Sequence, residues 1–176
     1  MGDRVYAWME IGPWDEDALR HSGAASDLLD ALDRHGFDDR SVLVQDGISV
    51  LRVEEYEANY GTGAFEDEGF TTMARCLGLW LAWGDDGSVE WDQHHTVFAP
   101  DGTSHYFEGS QCHEVVAHQA DVVSLRSRMS DRELVAALLQ HFDEGKRSLG
   151  AWIAGGGHNQ RSSERSGRCC IAGNLR

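Results

Sequence analysis

At 176 residues, with 41% hydrophobic side chains, the chain is long enough for one domain with a real core and too apolar for a disordered segment. Its net charge of −15 is uneven: residues 1–143 hold 9 basic and 28 acidic side chains, a charge of −19, whereas residues 144–176 carry +4. A body so acidic repels phosphate backbones, which excludes direct nucleic-acid binding by it and allows a basic protein partner.

No apolar run approaches the length of a membrane span, and the start, MGDRVYAWMEIG, lacks a basic segment followed by an apolar one. The expectation is a soluble cytoplasmic protein with no membrane contact. Cys76, Cys112, Cys169 and Cys170 form no C-x-x-C pair, which fits a reduced chain better than a disulfide framework.

Arg4–Ile11 reads as a first strand, with Val5, Ala7 and Met9 on one side and Tyr6, Trp8 and Glu10 on the other. Gly12-Pro13 ends it, and Pro13 opens a short helical turn over the acidic residues 15–17, closed by Gly23. Ser26 caps a helix through His35, with a stripe of Leu28, Leu29 and Leu32 and Gly36 as its terminator. Ser41–Val53 is a hairpin about Asp46-Gly47, rich in β-branched residues, whose second strand extends toward Tyr56. Phe70, Met73, Ala74 and Leu77 recur at helical spacing, predicting a helix over 65–77 with Gly78 behind it.

The stretch Cys76–Phe107 is the aromatic-rich centre. Leu79–Trp83 is an apolar strand, Asp85-Asp86-Gly87 a turn, and residues 89–98 alternate strictly. Val89, Trp91, Gln93, His95 and Val97 share one face of that strand. After Pro100-Asp101-Gly102, residues 105–107 return as a third strand. Trp80 and Trp83 sit at opposite parity, so one of them faces outward as a contact surface. His113–Ala117 reads as a further strand and 120–128 as a short helix. Ser130 and Glu133 form a capping box for a helix through Phe142. Residues 1–147 are thus expected to form a single acidic domain, with 148–176 a Gly/Ser/Arg-rich mobile tail in which Ser148–Ile153 packs at most as an appendage. Hairpins dominate, which predicts an α+β fold: a mostly antiparallel sheet of about five to seven strands with helices on one face.

Three groups of residues bear on function. Glu54, Glu55 and Glu57 crowd one strand end, and Asp85, Asp86, Glu90 and Asp92 crowd another. Nothing singles out a catalytic pair among them, and they read as an acidic partner-binding face. His94, His95, His105, His113 and His118 lie close in sequence around Cys112; His95 and His105, with His113 or Cys112, would hold zinc if they converged across the turn at 100–102. Glu90 or Asp92 would then serve as general base. No nucleophile elbow and no phosphate loop is present; Gly155-Gly156-Gly157 lacks the following G-K-[ST].

The residues therefore predict a small acidic interaction or regulatory protein that holds a basic protein partner, in its narrower form a nucleic-acid mimic or inhibitor, without a catalytic residue or cofactor. The rivals are a metal-dependent enzyme built on the histidines, and a soluble domain whose acidity serves only solvation.

Overall fold

A computed structural model describes residues 4–23, 25–59, 65, 69–87, 93–109 and 115–156. They form six antiparallel strands in one sheet: β1 (Arg4–Gly12), β2 (Asp39–Gln45), β3 (Ile48–Asn59), β4 (Trp80–Asp85), β5 (His94–Phe98) and β6 (Ser104–Glu108). The helices are α1 (Glu16–Ser22), α2 (Ser26–His35), α3 (Phe70–Cys76), α4 (Gln119–Arg126), α5 (Asp131–Gly145) and α6 (Leu149–Gly156). Strand order is β2-β3-β1-β4-β5-β6, so the first strand is central and the aromatic meander extends the sheet to one side. The α+β class and the antiparallel sheet are those expected.

Side-chain alternation divides the core in two. On one face Ala7, Met9, Ile11, Leu51, Val53, Leu81 and Trp83 meet α1–α3 through Leu28, Leu29, Leu32, Phe70 and Ala74. On the second face Val50, Ala82, Val97 and Phe107 meet Leu149 and Trp152 of α6, with Trp8 and Trp80 packed alongside. Both faces are therefore covered, one by α1–α3 and the other by α6 and the end of α5. Neither Trp80 nor Trp83 is left outward: Trp83 is buried in the first cluster, and Trp80 lies beside Trp152 at 6.5 Å between ring centroids. The two tryptophans do face opposite sides of the sheet, and α6 covers the side expected to be a contact surface.

The packed body thus runs past residue 147. Leu149, Trp152 and Ile153 recur at i, i+3 and i+4 and form the seam of α6 against the sheet. Gly150 allows this contact, because a Cβ there would lie 2.1 Å from the Gln45 carbonyl oxygen. Residues 157–176 of the expected tail lie outside the described residues.

Local chemistry set most of the boundaries. Asp46 and Gly47 both take positive φ, as a type I′ hairpin turn requires. Ser130 and Glu133 make the capping box at the start of α5, which continues to Gly145. Gly36 ends α2 in the left-handed region. Other starts differ. The first helix begins after Asp15, whose carboxylate accepts from the Ala18 N–H (3.0 Å), so Pro13 stands outside it. Ser26 is the first residue of α2 and Ala25 its cap. Helix α3 runs Phe70–Cys76 behind Gly69, whose left-handed backbone breaks the helix expected over 65–77; Phe65 is itself helical, and 66–68 lie outside the described residues. Of the strand expected over 113–117, the described residues retain one bridge, Gly109 to Val115. No described helix is long and apolar enough to cross a membrane.

Candidate functional site

The second sheet face carries two rows of facing residues. One runs Arg52–Glu10–Ala82–Val97–His105; the next runs Glu54–Trp8–Gly84–His95–Phe107. The central strand β4 contributes only Ala82 and Gly84 to these rows, so the sheet is hollowed between larger side chains on β1 and β5. Gly84 is obligatory: a Cβ there would stand 2.7 Å from the His94 carbonyl oxygen and 2.9 Å from the Trp8 ring. The Trp8 and His95 rings close over it, 6.5 Å apart.

The hollow opens into a cleft of about 440 Å³. Its floor is Trp8, Glu10, Ala82, His95 and Val97. One wall is Gln93, Glu108 and Gly109, and the other is the α5–α6 connection, Gly145 to Leu149.

Arg52 organises the floor at its β3 side. It donates to Glu54 Oε1 (2.6 Å), Glu10 Oε1 (2.9 Å) and the Tyr6 hydroxyl (2.9 Å), and its guanidinium lies 5.2 Å from the Trp8 ring centre. Tyr6 donates to Glu54 Oε1 (2.7 Å), and Gln45 Nε2 donates to Glu10 Oε1 (2.8 Å). Glu10 is buried, so this compensation is what lets a carboxylate sit inside a sheet. Burial disfavours charged Arg52, but its bonds to Glu54, Tyr6 and Glu10 outweigh that and raise its pKa. Burial likewise works against charged Glu54, and the bonds from Arg52 and Tyr6 overcome it and lower its pKa.

His95 differs. Burial, with His94 adding to it, depresses its pKa from 6.5 to about 4, so the imidazole is neutral at pH 7. Its ring stacks on Phe107 at 4.9 Å and makes no hydrogen bond among the described residues. Gln93 Oε1 is also buried without a partner among them. The cleft thus holds one uncommitted imidazole and one uncommitted amide oxygen. Its wall adds Lys146 and Arg147, neither in a salt bridge among the described residues, whereas Glu10 is paired with Arg52 and Glu108 with His118. A larger hollow of about 500 Å³ lies between β6, α4 and α5, but its two histidines are already bonded, His118 to Glu108 and His141 to the Val116 carbonyl (3.1 Å).

The acidic residues expected to form one face are dispersed. Glu54 is half-buried in the Arg52 network, and Glu55 meets His35 of α2 at 3.2 Å. Asp85 is buried, accepts from the Gly87 N–H (2.9 Å) and lies 3.5 Å from His94 Nδ1; Asp86 is exposed. The side chain of Glu57, and all of Glu90 and Asp92, lie outside the described residues. Of the proposed zinc ligands, His95 contacts Trp8 and Phe107, while His105 packs on Trp152 at 4.7 Å. His113 lies outside the described residues, and no metal-holding group of three or more His, Cys, Asp or Glu occurs among those described.

Sequence reasoning placed Tyr6, Trp8 and Glu10 together on one side of β1 but gave Tyr6 and Glu10 no role. It set Gln93 on one face with His95 and Val97 without a role, and gave none to Arg52, Lys146 or Arg147. A usable signal was present: a carboxylate in mid-strand demands a cation, and small residues two apart at 82 and 84 mark a hollow on one face. Neither a protein-family model, nor a curated protein, nor a solved structure matches this chain.

Proposed function

We propose that this protein is a binding protein that takes a small polar ligand bearing an anionic group into the cleft on the second sheet face. The reading rests on one observation above others: the His95 imidazole and the buried Gln93 side-chain oxygen, on residues that line a concave site, have no hydrogen-bond partner among the described residues. A group buried in that state lacks hydrogen-bond free energy that a ligand restores. Lys146 and Arg147 favour an anion at the wall, while Trp8 and Val97 offer apolar contact for the ligand body. Paired fragments, each a carboxylate matched to its amide or amine, test this by thermal shift. Carboxylates stabilise the protein, and Lys146→Glu with Arg147→Glu removes the effect. Equal stabilisation by both members of each pair sinks the reading.

A second reading, the capture of a basic protein by the acidic exterior, is favoured by the outer surface of α1 and α2. There Asp17, Asp27, Asp30 and Asp33 are exposed. Charge of this kind speeds encounter with a basic surface and is screened by salt. Binding to polyarginine that weakens with salt, and weakens again in Asp27→Asn with Asp30→Asn, supports it. Binding indifferent to both changes removes it.

A further inference from the structure

We infer that the free edge of β2 is a self-association surface, through which two copies of this chain join their sheets about a twofold axis at Leu43. Among the described residues, strand β2 is the end of the sheet order and pairs with β3 alone. Edge strands are ordinarily blunted by charge, proline or a covering element, because their unpaired backbone groups template association. This edge presents the opposite: Val42 is 55% exposed, Leu43 37% and Val44 74%. The Gln45↔Ile48 pair closes the two-residue turn, so ladder bonds to β3 fall at alternate residues 45, 43 and 41. The backbone groups of Arg40, Val42 and Val44 consequently point away from the sheet, the Arg40 N–H donating to the Asp39 carboxylate (2.8 Å).

The segment is complementary to itself. In an antiparallel pair centred on Leu43, Val42 of one copy faces Val44 of the other, and Leu43 faces Leu43. Ser41 faces Gln45, and Arg40 faces Asp46. All three exposed apolar residues then meet apolar residues, and the end charges are opposite in sign. Centring on Val42 instead sets Val44 against Arg40, Leu43 against Ser41, and Asp38 against Asp46, a like-charge contact. Centring on Val44 sets Val42 against Asp46. One register alone satisfies the pattern, and a self-complementary patch of this kind closes into a symmetric dimer. Arg40 also reaches Asp33 of its own α2 at 3.0 Å, which leaves further guanidinium donors for the partner.

Each copy carries −15, so the copies repel at low ionic strength and the dimer strengthens as salt is added. Sedimentation velocity on the full chain, from micromolar to millimolar protein in dilute and in molar salt, tests this. The expected result is a dimer fraction that rises with both, and that is lost in Val44→Lys, a substitution at an exposed position that leaves the circular dichroism unchanged. Leu43→Cys places two thiols at the axis. Mild oxidation then links position 43 to itself in peptide maps, and Ser49→Cys on β3 gives no such link. A monomer throughout, a dimer that Val44→Lys leaves intact, or association that weakens with salt overturns the proposal.

Discussion

His95 makes the cleft a determinant of acid stability. An unfolded His95 takes up a proton near 6.5, whereas the folded residue resists until about 4. Between those values the unfolded state binds more protons, so stability is full above 6.5 and falls as pH falls through the window. A shift of this size is worth about 3 kcal/mol in all, of which about 2 kcal/mol is lost by a pH of about 4.5. Other groups titrate over the same range, so the measurement is a comparison with His95→Gln. Urea unfolding of both proteins at neutral pH and near pH 4.5 should show the parent losing roughly 2 kcal/mol more than the variant. The His95 Cε1 proton, followed by NMR, reports the same event directly. Equal losses in the two proteins, or a ring that titrates near 6.5, refute the claim that burial on Gly84 holds this imidazole neutral.

Three further outcomes follow from the same geometry. Arg52→Met leaves Glu10 buried without its cation and should cost roughly 3–5 kcal/mol in denaturant unfolding. Adding Glu10→Gln should recover part of that loss, whereas an additive second loss contradicts the pairing. Gly84→Val fills the space between Trp8 and His95 against the His94 carbonyl. It should destabilise by about 1–3 kcal/mol and abolish fragment binding in the cleft. Trp152→Ala should cost about 3–5 kcal/mol if α6 belongs to the core. A change within a few tenths of a kcal/mol would return residues 148–156 to the status of an appendage.

Much of the fold was legible because local chemistry and tertiary packing agree. The Asp46-Gly47 turn, the Ser130 capping box and the Gly36 terminator each need a specific residue at a specific place, and each appears there. The alternation of residues 93–98 was equally readable: His95 and Val97 share the second face with Gln93, while Phe98 packs on Trp83 at 4.7 Å on the first. Helix α6 was not legible for a compositional reason. Its glycines at 150, 155 and 156 read as part of a mobile tail, yet Gly150 is there because the Gln45 carbonyl leaves no room for a side chain. The site was hidden for a different reason. Glu54 and Asp85 counted as surface charge, although Glu54 stands two residues from Arg52 on the same face of β3; strand register is what sets Glu10 opposite Arg52 and Asp85 opposite His94. A sum of charges carries no information about which carboxylates are already paired. The binding groups, an imidazole and an amide made notable by what they do not contact, belong to no sequence motif.

The most direct test of the cleft is residue-resolved NMR of the full chain titrated with small carboxylates and phosphates, with matched amines as controls. Binding at the cleft predicts saturable shifts at the Trp8 indole, the Gln93 amide and the His95 ring, accompanied by a rise in the His95 pKa as the anion favours its protonated form. If the anions leave those three signals in place, or the amines move them equally, the second sheet face is a packed surface and not a binding site.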